Sequence, residues 1–296
     1  MKIPPFVFFG TSEFSVILLE ELSTKFGIAP DLVVTAPDRP VGRKQIITPP
    51  PAKVWAEEND VSVIQPEKLK DEDFLAVLQD YSLFIVASYG KIIPQVVLDI
   101  PKLGTLNVHP SLLPKYRGAS PIQNQILNDE KHFGTTIMLM DDKMDHGPIL
   151  AQKEIKCVFP DTYENVEKYL AIESASLLAE TLSSWTSTDK KGERQAQHPA
   201  VQKEEEATYT KIIEKADGEI NLDDDGYKNY LKYLAYSHWP KTFFFFDYDN
   251  KKMRAVITDA SFTDGKFVIN KLIPEGKNEM TYSDFLQSPL SKDFTR

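Results

Sequence analysis

Four short apolar runs constrain the fold of this chain more than any other feature. They are residues 5–9 (PFVFF), 31–35 (DLVVT), 83–87 (LFIVA) and 105–109 (TLNVH). Runs that are apolar at successive positions suit strands covered on both faces. Between them the spacing changes. Phe14, Leu18 and Leu22 recur on one helix face, with Thr11 or Ser12 placed to cap that helix. Residues 52–59, 71–79 and about 121–127 read as further helices. Strands alternating with helices predict an α/β fold with a Rossmann-like parallel sheet. Ligands of such sheets sit beyond the carboxyl ends of the strands. The residues at and just after Gly10, Ala87 and His109 are therefore the places to look for chemistry.

The pattern changes after residue 160. Thr162 to Trp185 reads as one long helix, and residues 186–206 are polar, charged and without periodicity. Beyond them a helix at 226–234 precedes β-rich runs at 243–248, 254–257 and 267–272, separated by turn residues. That spacing predicts a small OB-like β-barrel. The expected organisation is a catalytic domain at 1–185, a linker at 186–206 and a β-barrel domain at 207–296.

Composition removes several function classes. No apolar run reaches the roughly 18 residues of a membrane span, and residues 1–9 lack a cleavage-site pattern. The single cysteine, Cys157, excludes an internal disulfide and a cysteine-cluster metal site. None of the five histidines stands in ligand spacing with another, so no metal is expected. A cytoplasmic, monomeric enzyme without membrane contact is the expectation. The stretch 10–22 has one glycine where a dinucleotide fingerprint needs three, so no nucleotide cofactor is expected. Gly10, Thr11 and Ser12 read as a tight βα turn, and their place at the rim also makes them a candidate substrate wall. The net charge is −10, nearly all of it before residue 207. Contact with a polyanion must then rest on local basic clusters.

The strongest constellation is Asn107 and His109 with Asp145. Asn107 and His109 are two apart on a strand and share a face. His109 stands at the carboxyl rim, because Pro110 ends the strand. An amide donor beside an imidazole suits a reaction that develops an oxyanion. Asp145 follows its own β-run at 135–140 and a turn, so it can return to the same rim. A carboxylate there favours a charged imidazole. Taken singly, each of these residues also has an ordinary structural reading.

The segment Asn107-Val-His109-Pro-Ser111-Leu112-Leu113-Pro114, with Tyr116-Arg117-Gly118, resembles the signature of the folate-dependent formyltransferases. The resemblance implies that Asn107, His109 and Asp145 are catalytic, and that Ser111, Leu112, Leu113 and Pro114 line a reduced-folate site. Val86, Ala87, Tyr89, Gly90 and Ile92 are expected to complete an apolar, backbone-rich slot for the pterin ring. The formyl donor so implied is 10-formyltetrahydrofolate, acting as a cosubstrate. Phe9-Gly10-Thr11, Pro37-Asp38-Arg39-Pro40, Ala87-Ser88-Tyr89-Gly90, His238-Trp239-Pro240 and Pro274-Glu275-Gly276 extend the likeness to family members whose acceptor is methionyl initiator tRNA. In those members an insertion matching residues 37–51 acts on the acceptor stem. Arg39, Arg43 and Lys44 are the basic candidates there, with Arg43 at the key position. Position 110 is Pro where many relatives have Gly, and position 146 is His where Thr is usual. Three other readings compete. The acceptor could be an amino sugar nucleotide or another small amine, water could replace the amine, or the scaffold could serve as a non-catalytic RNA-binding protein. Segment 37–51 and region 207–296 weigh against the small-amine reading. Retention of Asn107, His109 and Asp145 weighs against a non-catalytic role. Phe243 to Phe246, at strand spacing, should send two rings into a core and two outward, while Lys251, Lys252 and Arg254 are candidates for a phosphate-facing edge.

Overall fold

The computed structural model describes residues 3–42, 44–156, 161–187, 199–292 and 294. Arg43, Cys157 and residues 188–198 of the expected linker lie outside them. The elements in chain order are β1 (Phe6–Gly10), α1 (Glu13–Phe26), β2 (Leu32–Val34), β3 (Arg39–Val41), β4 (Ile46–Thr48), α2 (Pro51–Glu58), β5 (Ser62–Ile64), α3 (Glu72–Leu78), β6 (Leu83–Ala87), α4 (Gln95–Leu98), β7 (Thr105–His109) and β8 (Arg117–Gly118). There follow α5 (Pro121–Leu127), β9 (Phe133–Leu139), β10 (Ile149–Ile155), α6 (Tyr163–Trp185), β11 (Tyr209–Thr210), α7 (Gly226–Ala235), β12 (Phe243–Tyr248), β13 (Lys251–Thr263), β14 (Lys266–Pro274), β15 (Met280–Thr281) and α8 (Tyr282–Gln287). The chain divides into two compact units. One comprises Met1–Ala119, His132–Lys156 and Glu167–Thr210, the other Ser120–Lys131, Cys157–Val166 and Lys211–Arg296.

In the first unit, seven strands of the described residues form a sheet in the order β10-β9-β7-β6-β1-β2-β5. The five from β7 to β5 are parallel. Every residue of β1, β6 and β7 is buried, which is why their sequences are apolar without alternation. Val7, Phe9, Val34, Phe84 and Val86 share one core cluster with Phe74, Leu78 and Val97. On α1, Phe14, Leu18 and Leu22 are buried, as their spacing requires. The chain winds outward from β1 through β2 to β5, then returns to the other side through β6 and β7. The reversal of order lies between β1 and β6, where α/β sheets open a crevice at their carboxyl ends.

That crevice is stitched by the two turns that border it. Thr11 Oγ1 donates to the Tyr89 carbonyl at 2.8 Å, and Ser15 Oγ to the Ala87 carbonyl at 2.7 Å. Ser12 Oγ donates to Ser88 Oγ at 2.7 Å. Gly10 is required by close approach: a Cβ there would lie 2.4 Å from the Phe8 ring and 2.8 Å from the Ser15 side chain. The tight-turn reading of residues 10–12 thus has a packing reason.

Two elements depart from the expected all-parallel pattern. β9 runs antiparallel to β7, and β10 antiparallel to β9. The segment at 37–51 contains a two-stranded hairpin, β3 with β4. β-Branched Ile46, Ile47 and Thr48 favour this pairing. Its base is tied down by Asp38, which accepts from Lys53 Nζ at 2.9 Å and from Gln65 Nε2 at 2.7 Å.

The second unit contains a four-stranded antiparallel sheet in the order β12-β13-β14-β15. Register shifts in the β13–β14 pairing between Ile257 and Ala260 bend the long pair. Phe244 and Phe246 enter its core with Ile257, Ile269, Leu272 and Phe285. This is the small β domain expected from the short runs, with a longer central strand than the sequence suggests. Pairing closes no barrel among the described residues. α5 packs on α7 within the same unit.

Two outcomes follow from these constraints. Gly10→Ala forces a methyl group into the β1–α1 turn and should cost about 1–3 kcal/mol of stability. The check is the urea midpoint at unchanged slope, and an unmoved midpoint would rule out the packing constraint. At the hairpin base, the Gln65 hydrogen bond and then the Lys53 ammonium hold the Asp38 carboxyl below its ordinary value. The ion pair is therefore intact above the ordinary carboxylate range and is lost as pH falls through the lowered value. Protection of β4 amides against exchange should drop below about pH 4 in the wild type, and Asp38→Asn should show no such step.

Candidate active site

Three side chains meet at the carboxyl half of β7. Asn107 and His109 are 8% and 5% exposed and lie on the same face of the strand. Asp145 reaches them by an indirect route. Because β9 is antiparallel, it carries the chain away from the rim, pairing His109 with Thr136 and Leu106 with Leu139. Residues 140–147 then fold back across the strand end. Gly147 allows the return, since a Cβ there would lie 1.9 Å from the Leu139 carbonyl oxygen. Asn107 Nδ2 donates to Asp145 Oδ1 at 3.3 Å, and the Gly118 N–H donates to Asp145 Oδ2 at 2.8 Å.

The His109 ring makes its close polar contact with backbone rather than with Asp145. Its Nε2 lies 3.0 Å from the Tyr116 carbonyl oxygen. A carbonyl only accepts, so Nε2 carries the proton. Nδ1 faces Asp145 Oδ1 at 3.7 Å, an ion-pair distance too long for a hydrogen bond. The Tyr116 carbonyl, more than the carboxylate, sets the ring. Tyr116 adopts φ 62° to present that carbonyl, and Asp145 itself sits at φ 48°.

The expected folate residues divide by what their side chains already do. Ser111 is fully buried, and its hydroxyl donates to the Lys115 carbonyl at 2.7 Å. Thr136 Oγ1 accepts from the Leu113 N–H and donates to the Ser111 carbonyl. Gln152 donates to the Leu113 carbonyl. Residues 111–114 are thus a braced bend, and Leu112 and Pro114 remain partly accessible. The Tyr89 ring is in the core beneath the sheet, 5.5 Å from Phe9 and edge-on to it. Burial pushes its hydroxyl up to about 12. The Tyr89 ring is therefore packed in the core. Val86 and Ala87 are also buried. Gly90, at φ 78° with open space where a Cβ would stand, and Ile92, 93% exposed, form the accessible edge.

The expected substrate residues are likewise placed. Arg39 and Lys44 are exposed on the hairpin, together with apolar Val41, Ile46 and Ile47. Thr11 and Ser12 spend their hydroxyls on the β6 turn. In the second unit Lys252 lies over the Phe245 ring at 4.5 Å and Arg254 over Phe243 at 5.2 Å. Phe243 is itself only 4% exposed, so three of the four rings, those of Phe243, Phe244 and Phe246, are buried and only Phe245 stays partly accessible, which corrects the expectation of two rings in and two out.

Residue-by-residue reading of the sequence missed one part of the site. Residues 199–206, expected as linker, belong to the first unit, as does β11, which pairs in parallel with β8. Gln202 is buried there and donates to the carbonyls of Asp145 and Gly147. The polar composition of the segment hides this role, since one amide inserted among exposed residues leaves no periodic signal. Among the described residues no cluster of three metal-ligating side chains is present, and no helix is long and apolar enough to cross a membrane.

A family model for formyl transferases matches residues 1–182. A methionyl-tRNA formyltransferase of Caldicellulosiruptor saccharolyticus is 40% identical over 80% of this chain and 74% of its own. That of Macrococcus caseolyticus is 33% identical over 97% of this chain and 96% of its own. The solved methionyl-tRNA formyltransferase from Clostridium thermocellum shares the fold, with a TM-score of 0.63 at 16% identity over 94% of this chain and 99% of that one. A sugar N-formyltransferase from Shewanella also shares it, with a TM-score of 0.59 at 22% identity over 85% of this chain and 96% of that one. On the family match, and on identity that runs through three quarters of one curated relative and nearly the whole length of another, the chain belongs to the formyl transferase family, among the methionyl-tRNA formyltransferases.

Proposed function

We propose that the chain transfers the formyl group of 10-formyltetrahydrofolate to the amino group of methionyl initiator tRNA, the step that prepares that tRNA for translation initiation. The observation that carries this reading is the convergence of Asn107, His109 and Asp145 at one strand rim, in a chain that one methionyl-tRNA formyltransferase matches nearly end to end. The amine nitrogen bonds to the formyl carbon, the bond from that carbon to N10 of the folate breaks, and the amine proton ends on N10. Asn107 uses one N–H on Asp145, and its second N–H is aimed at the developing oxyanion. His109 has its Nε2 proton on Tyr116, so an imidazolium would offer the oxyanion its Nδ1 proton, on the side shared with Asp145. Asp145 stabilises that charge and relays the amine proton through a water. No side chain forms a covalent intermediate in this scheme.

The accessible edge at Gly90 and Ile92, beside the braced bend at 111–114, fits a flat heterocycle held by backbone groups and apolar contact. Arg39, Arg43 and Lys44 of segment 37–51 are assigned to the acceptor stem, and the turn at Gly10, Thr11 and Ser12 to the substrate side of the crevice. The division into a catalytic domain, a linker and a C-terminal tRNA-binding domain is part of this reading. The protein is taken to work as a cytoplasmic monomer without metal or nucleotide cofactor. A small-amine acceptor is the rival, since solved sugar N-formyltransferases share the fold. The β3–β4 hairpin, with three apolar side chains and basic residues exposed, favours a large acceptor.

His109→Ala and Asp145→Asn should each lower kcat by about 10²–10⁴ with donor binding nearly unchanged. Retention of more than about a tenth of wild-type turnover in either would remove that residue from the mechanism. Arg43→Ala should lower kcat/KM for charged tRNA by about 1–3 kcal/mol, with partial rescue in Arg43→Lys and a weaker salt dependence than the wild type. Equal kcat/KM for charged tRNA in wild type and Arg43→Ala would shift the reading toward the small-amine rival.

A further inference from the structure

Arg117 is 1% exposed and heads the fully buried side chains among the described residues. Its Nε and Nη2 both donate to Gln202 Oε1, at 3.1 and 3.0 Å. Its Nη1 donates to Glu204 Oε2 at 2.9 Å and to the Tyr209 hydroxyl at 3.0 Å. A buried cation keeps its place only when its donors are paired. Two donors on one oxygen also decide which end of the Gln202 amide faces the arginine. The other end, Nε2, donates to the carbonyls of Asp145 at 2.9 Å and Gly147 at 2.8 Å. The amide cannot flip without turning N–H toward a buried guanidinium and an oxygen toward two carbonyls.

The loop held in this way needs holding. Asp145 is at φ 48°, a region that non-glycine residues seldom occupy. Gly147 is pinned against the Leu139 carbonyl. His146 Nδ1 contacts Asp141 Oδ2 at 2.7 Å, which ties the same loop on its outer side. On the other side of the network, the Arg117 N–H donates to the Thr208 carbonyl, and Thr210 Oγ1 donates to the Arg117 carbonyl. The Arg117 backbone and side chain are therefore both locked to residues 202–210, while the next residue, Gly118, donates its N–H to Asp145.

We propose that Gln202, oriented by buried Arg117, is a positioning residue for Asp145, so that residues 199–210 are part of the catalytic machinery and not a tether. This rests on the reading of Asp145 given above. The network has no contact with the reacting atoms. It acts by presenting the Asp145 carboxylate to Asn107 and His109.

Gln202→Glu tests this directly. It keeps the length and the acceptor toward Arg117, and replaces the NH2 by an oxygen facing two carbonyls. Gln202→Met keeps the length and supplies neither group. Formyl transfer from 10-formyltetrahydrofolate to charged initiator tRNA is measured in wild type, both single variants, Asp145→Asn and the double variants, with circular dichroism to establish folding. Gln202→Glu should lower kcat by about 10- to 100-fold, the loss expected of a carboxylate misplaced by about 1 Å. Donor KM should stay within about twofold, as expected when only the chemical step is affected. In the Asp145→Asn background the same substitution should cost less than about threefold, because the group it positions is already gone. A folded variant with wild-type kcat overturns the proposal, as does an equal loss in both backgrounds. If Gln202→Glu does not fold, Gln202→Met is judged by the same criteria. Asp145→Asn with near wild-type turnover would sink the reading of Asp145 itself. A crippled Asp145→Asn beside an unaffected Gln202→Glu would sink only the positioning role.

Discussion

A carboxylate that must stand beside an imidazole and an amide has to be held by groups that do not move. In this protein Asp145 is held at both carboxylate oxygens and at its own carbonyl, by Asn107, the Gly118 N–H and Gln202. Each holder belongs to a different stretch of chain. Asn107 is on a central strand, Gly118 on a short strand after the signature bend, and Gln202 in the segment that leads toward the second unit. The site therefore exists only when the sheet, the bend and that segment are all in place. The buried guanidinium of Arg117 connects the last two, because a cation removed from water has no alternative partners. Arg117 and Tyr209 also keep the Glu204 carboxyl below its ordinary value, so the acidic end of the network stays ionised.

The same economy of polar groups appears at the crevice between β1 and β6. Hydroxyls of Thr11, Ser12 and Ser15 are all satisfied by the turn after β6. What remains open there is backbone, Gly90 and the exposed side chain of Ile92. A rim built this way can accept a planar ring by shape and backbone contact without a charged residue. The hairpin stands apart in character, with exposed β-branched side chains and cations over a base anchored by Asp38. Val41, Ile46 and Ile47 stay more than half exposed there, so they bury little surface against the first unit.

Much of this was legible in residues alone. The apolar runs of β1, β6 and β7 have no alternation because both faces of the sheet are covered, and that made a parallel α/β core readable. The spacing of Asn107 and His109 placed both on one face, since a strand has period two. The β-rich end of the chain was readable as a separate small β unit, from its short runs and turn residues. Several things were not readable. The direction of β9 leaves no mark on its composition, yet it decides that Asp145 returns by a folded loop. Tyr89 lies within a motif but turns its ring into the core, a choice made by Phe9 and the neighbouring strands.

The sequence by itself determined the class of fold, the identity of the three converging groups and the family, because these depend on local periodicity and on short contiguous motifs. Tertiary structure decided how those groups are aimed. The proton on His109 Nε2 is assigned by the Tyr116 carbonyl, and the Asp145 loop is tied by Gln202, which is 57 residues away in the chain. Residues 199–206 read as a linker because solvated polar residues and a single buried glutamine look alike in composition. Only packing distinguishes them, since the value of a hydrogen bond depends on whether water is there to replace it.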